Sequence, residues 1–549
     1  MPTLNFKGKP FVYSHHLSVP FRELKIDAEK SLPGEGGPSL DDNLIIHGDN
    51  LHALKALLPK YAGRVDVIYI DPPYNTGNEG WAYNDNVSSP LMKEWLGKVV
   101  DGEDLERHDK WLCMMWPRLI LLRELLAETG IIFVSIDDNE NHYLRAILDE
   151  IFNENNFVAD IVWRSSDSAN NDAKQVSLDH NYTLAYSKNS GWTSNLLERS
   201  EKQNAHYSNP DNDPHGPWFS GNLSSPNPRE NLKYYIKHPD GRELAPPPNG
   251  WRWKKSEVTK KIKTGEIIFT ETDRGILRKT YLKNQKGLAP SSLWIDLEET
   301  GHNRNAKYEL KKIFPDIPTS ELFKTPKPTK FLNKVMRISG NKKSIVLDSF
   351  AGSGTTAHAV QALNANDGGN RKFILVETED YADTITAERV RRVMGGVPNA
   401  KNETLKNGLG GSFTYCDLGD PIDMDSFFDE SASMPAYDQL ASYIAYTATG
   451  EALDKAPKKP SQDWFIGEVG GVRIYLVYKP DSAFMKSHDA ALDMETVKTI
   501  SAGNITGKPS YVFAAAKYMS QSELTRDYDM TFCQLPYAIH RIMGDGVDE

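Results

Sequence analysis

Six residues, Val65-Asp66-Val67-Ile68-Tyr69-Ile70, run directly into Asp71-Pro72-Pro73-Tyr74, and no other stretch of the 549-residue chain constrains its fold as tightly. The run is short, mostly apolar and rich in β-branched side chains, the pattern of a buried central strand. Asp71 therefore falls at the strand's carboxyl end, the edge at which open α/β sheets bind ligands. Pro72 and Pro73 fix φ and remove two backbone donors, so the exit from the strand is stiff and its carbonyl oxygens stay free to accept. A flat ring bearing an exocyclic amine suits such an exit. The Asp71 carboxylate and the Pro72 carbonyl take its two N–H donors, Tyr74 stacks on the ring, and the nitrogen lone pair is left to attack an electrophile. The plainer reading of the same residues is a Pro-rich turn ending in an aspartate.

A second motif points the same way. Ile345-Val346-Leu347-Asp348 reads as a strand, followed by Ser349-Phe350-Ala351-Gly352-Ser353-Gly354 and a helix from Thr355 to Leu363. Glycine lets backbone approach a ligand closely, and a helix N-terminus offers unpaired N–H groups to an anion. The turn lacks the third glycine of the dinucleotide fingerprint and the lysine of a P-loop, which favours a carboxylate over a pyrophosphate. The next strand, Lys372 to Val376, ends in Glu377, where a Rossmann-like sheet holds ribose hydroxyls.

Together these residues resemble the S-adenosylmethionine-dependent amino-methyltransferases of DNA, whose catalytic motif is D-P-P-Y and whose cofactor motif is D-x-F-x-G-x-G. The catalytic motif comes first here and the cofactor motif starts 277 positions later, the permuted order of the β group. The likeness extends to the modification (Mod) subunits of Type III restriction-modification systems. It is carried by Ile46 to Leu54, Asp71 to Gly77, Met115 to Leu119, Gly130 to Glu140 and Lys324 to Pro328. The resemblance implies an α/β, Rossmann-like methyltransferase sheet, permuted with its catalytic half first, with an inserted target-recognition domain and a small C-terminal α+β domain. The expected divisions are an N-terminal arm and catalytic half at 1–155, the recognition insertion at 156–320, the cofactor half at 321–415 and an association domain at 416–549.

The resemblance also implies roles. Asp71, Pro72, Pro73 and Tyr74 would hold the N6 amine of an adenine extruded from duplex DNA, with Tyr182 as a second aromatic of the base pocket, although a tyrosine packing on a sheet reads equally well. Asp348, Phe350, Gly352, Gly354, Thr355 and Glu377 would hold S-adenosylmethionine. Asp49, which by its position caps the helix starting at Leu51, would face the adenine end of that cofactor, and Lys327 and Thr329 its methionine end. Asp at position 71 favours adenine over cytosine N4, since cytosine-N4 enzymes usually carry Ser there. Other readings are a DNA-binding specificity subunit with silent methylation, a solitary or phage methyltransferase, and an RNA methyltransferase.

Net charge is −11, which argues against nucleic acid only if the charge is evenly spread. It is not: residues 251–290 hold eleven Lys or Arg against four acids, and residues 417–460 hold nine acids against three lysines. Arg252, Lys254, Lys255, Arg274 and Arg278, interleaved with Trp251 and Trp253, are the candidate DNA contacts; packed tryptophans beneath a solvated basic face are the bland alternative. Hydrophobic residues at 39% and charged residues at 25% describe an ordinary globular chain. Met1 to Pro10 has no signal-peptide core and no eighteen apolar residues run together, so a cytoplasmic protein without membrane contact is expected. Three scattered cysteines support neither a disulfide framework nor a metal site. The expected partners are duplex DNA, a second copy of the chain and a restriction subunit.

Overall fold

The computed structural model describes residues 3–76, 107–271, 275–422 and 434–535, so Gly77 and Arg274 lie outside the described residues. The chain divides into two compact units, one made of Met1–Thr193 with Ser291–Glu549 and the other of Ser194–Pro290.

The first unit is built on a ten-stranded sheet. In chain order its strands are β1 (Arg22–Leu32), β2 (Leu44–His47), β3 (Val65–Ile70), β4 (Leu126–Ile136), β5 (Phe157–Arg164), β6 (His180–Ser187), β7 (Leu293–Trp294), β8 (Ile345–Asp348), β9 (Lys372–Glu377) and β10 (Phe413–Pro421). They lie in the order β1-β10-β2-β9-β8-β3-β4-β6-β5-β7. The six central strands, β10 to β4, are mutually parallel. Parallel strands must be covered on both faces, and β3 meets that condition: Val65, Val67, Ile68, Tyr69 and Ile70 are all buried.

Strands β3 and β8 are neighbours, with Val67 beside Val346 and Ile68 beside Leu347. From β8 the chain passes through a helix to β9 on one side, whereas from β3 it passes to β4 on the other. Connections that diverge in this way open a crevice at the carboxyl ends of the two strands. Asp71 and Asp348 therefore leave the sheet at the same place despite their separation in sequence. The helices that bear on the crevice are α1 (Asn50–Tyr61), α2 (Arg107–Leu125), α3 (Asn141–Phe152), α4 (Asn303–Ile313), α5 (Thr329–Ser339), α6 (Thr355–Asp367) and α7 (Glu388–Gly395).

Two boundaries differ from those read in the sequence. The insertion expected at 156–320 is compact only over Ser194–Pro290. Strands β5, β6 and β7 pair with the main sheet, because their backbone groups and apolar side chains are satisfied there. Likewise Cys416 to Pro421, assigned to a C-terminal domain from 416, belongs to β10, which pairs with β2 and β1. Beyond it a four-stranded mixed sheet joins Phe465–Val469, Val472–Leu476, Ser510–Ala514 and Met530–Gln534. That sheet and the helix Tyr437–Thr449 share an apolar core with α1 and α2.

The second unit carries a three-stranded antiparallel sheet of Ile267–Phe269, Ile276–Tyr281 and Trp218–Gly221, and a helix Lys255–Lys263. Trp251, Val258, Ile236, Leu244, Ile267 and Ile276 form its small core. Among the described residues no helix is long and apolar enough to cross a membrane.

Candidate active site

The Asp-Pro-Pro-Tyr segment folds back on itself at the end of β3. The Tyr74 hydroxyl donates to Asp71 Oδ1 at 2.9 Å, and Lys327 Nζ donates to Asp71 Oδ2 and, at 2.8 Å, to the Tyr74 hydroxyl oxygen. The ammonium also lies 5.1 Å from the centre of the Tyr74 ring. Lys327 is held as stiffly as Asp71. It stands between Pro326 and Pro328, and a residue before proline is confined to extended backbone. The Pro73 carbonyl accepts from Trp111 Nε1 at 2.7 Å, while Pro72 is buried at the strand exit.

Asn75, next along, adopts a left-handed φ of 55°. Its amide donates to the Arg107 carbonyl at 3.1 Å and to Glu140 Oε1, and that oxygen also meets His108 Nδ1 at 2.7 Å. Glu140 is fully buried, and burial pushes its carboxyl up. The buried pair Asn75–Glu140 thus clamps the segment immediately after Tyr74.

Tyr182 does not join this group. Side chains alternate across a strand, and in β6 it is Asn181 whose side chain reaches the Tyr74 hydroxyl and accepts from Ser165 Oγ at 2.7 Å. Tyr182 points to the other face, where its hydroxyl meets His180 Nε2 at 3.1 Å and Asp138. The sequence reading selected the aromatic residue and missed its neighbour by one position.

The glycine turn forms a second set of contacts. Asp348 Oδ1 accepts from the Phe350 N–H at 3.1 Å and Oδ2 from the Thr356 hydroxyl at 2.5 Å, tying strand, turn and helix together. Gly352 and Gly354 have φ of 52° and 74°. A Cβ on Gly352 would lie 2.9 Å from the Phe323 ring, and one on Gly354 would lie 2.9 Å from the Thr386 carbonyl oxygen. Phe350 is buried in the core. Thr355, the first residue of α6, hydrogen-bonds Ser353 Oγ at 3.1 Å.

At the tip of β9, Glu377 Oε2 accepts from the Gly352 N–H at 2.7 Å, and Oε1 from Thr378 and Glu379 N–H at 2.9 and 3.1 Å. Tyr381 lies nearby, its hydroxyl pushed up by burial and by the Glu377 charge. Burial pushes the carboxyls of Glu377 and Asp348 up to about 7.

Asp49 caps α1 through the N–H groups of Leu51 and His52, at 2.9 and 3.2 Å, and its other oxygen lies 3.4 Å from Arg118. The adjacent Gly48 N–H donates to the Glu377 carbonyl at 3.0 Å. The loop thereby sits at the tip of β9. These tips also carry two buried hydroxyls without a partner, Ser349 Oγ and Thr378 Oγ1. A glycine cradle, a buried carboxylate and unsatisfied hydroxyls fit a polar, hydroxyl-bearing cofactor such as the nucleoside that the resemblance implies. Of the residues expected at the methionine end, Lys327 is committed to Asp71 and Thr329 donates its hydroxyl to Glu309 Oε2 at 2.8 Å.

Sequence reasoning missed the support beneath the turn. Arg389, fully buried on α7, donates to Ser353 Oγ at 3.0 Å and Thr355 Oγ1 at 2.6 Å. It also meets His358 Nδ1 at 3.2 Å and lies 3.7 Å from Glu309 Oε2. Burial holds His358 down to about 4, so its ring is a neutral acceptor. The available signal was periodicity: Arg389 shares the apolar face of α7 with Val390, Val393 and Met394.

Glu377 has a testable pH signature. Its carboxyl stands at about 7 when folded, against an ordinary 4.5. Between those values the folded protein keeps a proton the unfolded chain has lost. Its contribution to stability is therefore full below about 4.5 and declines as pH rises to about 7. Glu377→Gln removes that titration. Relative to the wild type, the variant is expected to gain stability across this window, by on the order of 3 kcal/mol. Urea midpoints at pH 5 and pH 8 measure the difference; a gap that does not change with pH refutes the assignment.

In the second unit, Arg252, Lys254 and Lys255 are exposed. Arg278 is engaged internally, 3.2 Å from Glu266 and stacked 4.9 Å from the Trp253 ring. Lys279 is buried between Asp211 and Asp213. Trp251 packs in the core. The basic segment therefore divides into cations that build the unit and cations that face solvent.

An open sheet with a parallel centre, a proline-stiffened carboxylate on one strand end and a glycine turn on the next defines a Rossmann-like α/β ligand-binding protein. The family model described as DNA methylase matches residues 65–388, and the chain belongs to that family. It is 34% identical over 425 residues to the Type III restriction-modification enzyme StyLTI Mod subunit of Salmonella typhimurium, covering 70% of this chain and 62% of that one. It is 32% identical over 398 residues to the EcoP15I Mod subunit of Escherichia coli, covering 62% and 60%. Identity to the EcoPI Mod subunit of Escherichia phage P1 is 30% over 465 residues, covering 72% and 70%. The chain thus spans about three fifths of the length of the first two of these relatives.

Proposed function

We propose that this protein is a sequence-specific DNA methyltransferase that modifies the N6 amine of adenine in duplex DNA, using S-adenosylmethionine, as the modification subunit of a restriction-modification system. The observation that carries the reading is the convergence of Asp71 and Asp348 at one crevice, each with the motif around it that the family uses. When bound, the cofactor supplies an already activated methyl group. Asp71 and the Pro72 carbonyl orient the amine by accepting its two N–H bonds. The acceptors thereby place negative charge where positive charge develops on nitrogen. Tyr74 offers its ring face to the extruded base. Glu377 accepts from ribose hydroxyls, the glycine turn admits the cofactor's close approach, and Asp49 faces its adenine end.

The compact unit Ser194–Pro290, with its exposed cations, is the candidate reader of sequence. A cytoplasmic location, a homodimer and a restriction subunit as partner complete the reading. Long-read sequencing of DNA from cells expressing the chain tests it, since one measurement gives the modified base, its position and the recognition sequence. Methylation confined to cytosine, or absent from duplex DNA, overturns it.

Exposed cations on phosphates also predict a salt dependence. Replacing Arg252, Lys254 and Lys255 together by Gln is expected to reduce the slope of log affinity against log salt by about 3, since each neutralised phosphate contributes about 0.9. Filter binding from 50 to 200 mM salt checks this. Arg278→Gln, which removes an internal pair, is expected to leave the slope unchanged.

A further inference from the structure

Each carboxylate oxygen of Asp71 has a donor before any base arrives. The target amine needs the carboxylate of Asp71 and a place beside the Tyr74 ring, and Lys327 holds both. Its ammonium donates to Asp71 Oδ2 and to the Tyr74 hydroxyl, and stands 5.1 Å from the ring centre. An ammonium and an aromatic amine are both nitrogen donors, and the charged one binds a carboxylate more strongly. The Lys327 side chain is 8% exposed and that of Asp71 22%. The pair is therefore largely out of water, and a donor arriving at Asp71 Oδ2 finds the ammonium already there.

We propose that Lys327 is the internal occupant of the amine subsite, so that an extruded base seats only by displacing its ammonium from Asp71. Lys327 is then a specificity-determining residue. A base without an exocyclic amine cannot replace the contact it breaks, because removing Lys327 leaves Asp71 Oδ2 without its donor while Tyr74 still serves Oδ1. An adenine restores the donor and completes the exchange. This inference rests on the function proposed above.

The test uses the full chain and duplexes carrying the recognition sequence, with 2-aminopurine beside the target position, where its fluorescence rises when the target leaves the stack. The target is either adenine or purine, which lacks the amine. Wild type is compared with Lys327→Met, which keeps the stem and removes the ammonium, and with Lys327→Gln, which keeps a weaker neutral donor. In wild type, adenine is expected to be extruded more than purine. Lys327→Met is expected to raise extrusion of adenine about tenfold, the scale of one charge-assisted hydrogen bond. It is expected to change the adenine-to-purine ratio as well, with Lys327→Gln intermediate.

A fall in adenine extrusion in Lys327→Met makes Lys327 a base contact and overturns the proposal, as does an equal change for both bases. Thermal melting shows that each variant is folded. If Lys327→Met is not, the sign of the change in Lys327→Gln decides. Transfer of labelled methyl to the adenine duplex by wild type in the same buffer tests the underlying function separately.

Discussion

Asp71→Asn is expected to lower methyl transfer by about 10³-fold or more while the protein stays folded and binds duplex DNA. Misplacing the reacting nitrogen and removing a preorganised charge each reach 10²-fold or beyond. The structure makes the choice of substitution matter. Asp71 satisfies two donors, Tyr74 through Oδ1 and Lys327 through Oδ2. Asparagine keeps one acceptor and the shape, but turns an N–H group toward the incoming amine, which needs an acceptor there. Alanine instead strands the Lys327 ammonium, whose side chain is only 8% exposed. Breaking a buried pair in this way costs about 3–5 kcal/mol, and the partial exposure of Asp71 places this case at the lower end. Labelled-methyl transfer, DNA binding and thermal melting therefore separate the two variants: Asp71→Asn loses chemistry, and Asp71→Ala loses chemistry and stability. Transfer that survives Asp71→Asn removes this residue from the site.

Arg389→Met is expected to destabilise the protein by about 3 kcal/mol and to weaken cofactor binding at least tenfold, with a smaller effect on DNA binding. The guanidinium is fully buried and donates to Ser353 and Thr355 at 3.0 and 2.6 Å, on either side of Gly354. It also supplies the donor that neutral His358 accepts. Methionine fills comparable volume and donates nothing, so buried acceptors lose their partner at roughly 1–3 kcal/mol each. Ser353 and Thr355 partly compensate by bonding one another at 3.1 Å, which keeps the sum near the value given. Calorimetric titration of the folded variant with S-adenosylhomocysteine measures the second effect. Unchanged affinity would make Arg389 a support of the fold alone.

The strand before Asp71 and the glycine turn after Asp348 were legible because each is a contiguous pattern. A β-branched run, two prolines and glycines at left-handed φ are all local properties of the chain. The insertion was legible as a change of composition, although its edges were not: β5, β6 and β7 look like small-domain strands until their partners in the main sheet are known. Tyr182 against Asn181 shows the same limit at one residue. Alternation tells that neighbours face opposite sides of a strand, but only the sheet tells which side holds the site.

By itself, then, the sequence determined the chemistry at the strand ends: which carboxylate follows a stiffened exit, which turn admits a close ligand, and which family these motifs belong to. Tertiary structure alone brings position 327 against 71 and seats 389 beneath the glycine turn. Their contacts span chain separations of up to 256 residues and depend on β3 and β8 lying side by side. The physical reason is that a charged side chain carries no local mark of its partner. Lys327 between two prolines and Arg389 in a basic stretch look alike in sequence. Burial gives one an aspartate and the other a ring of hydroxyls, because a donor taken out of water must find an acceptor wherever the fold supplies it.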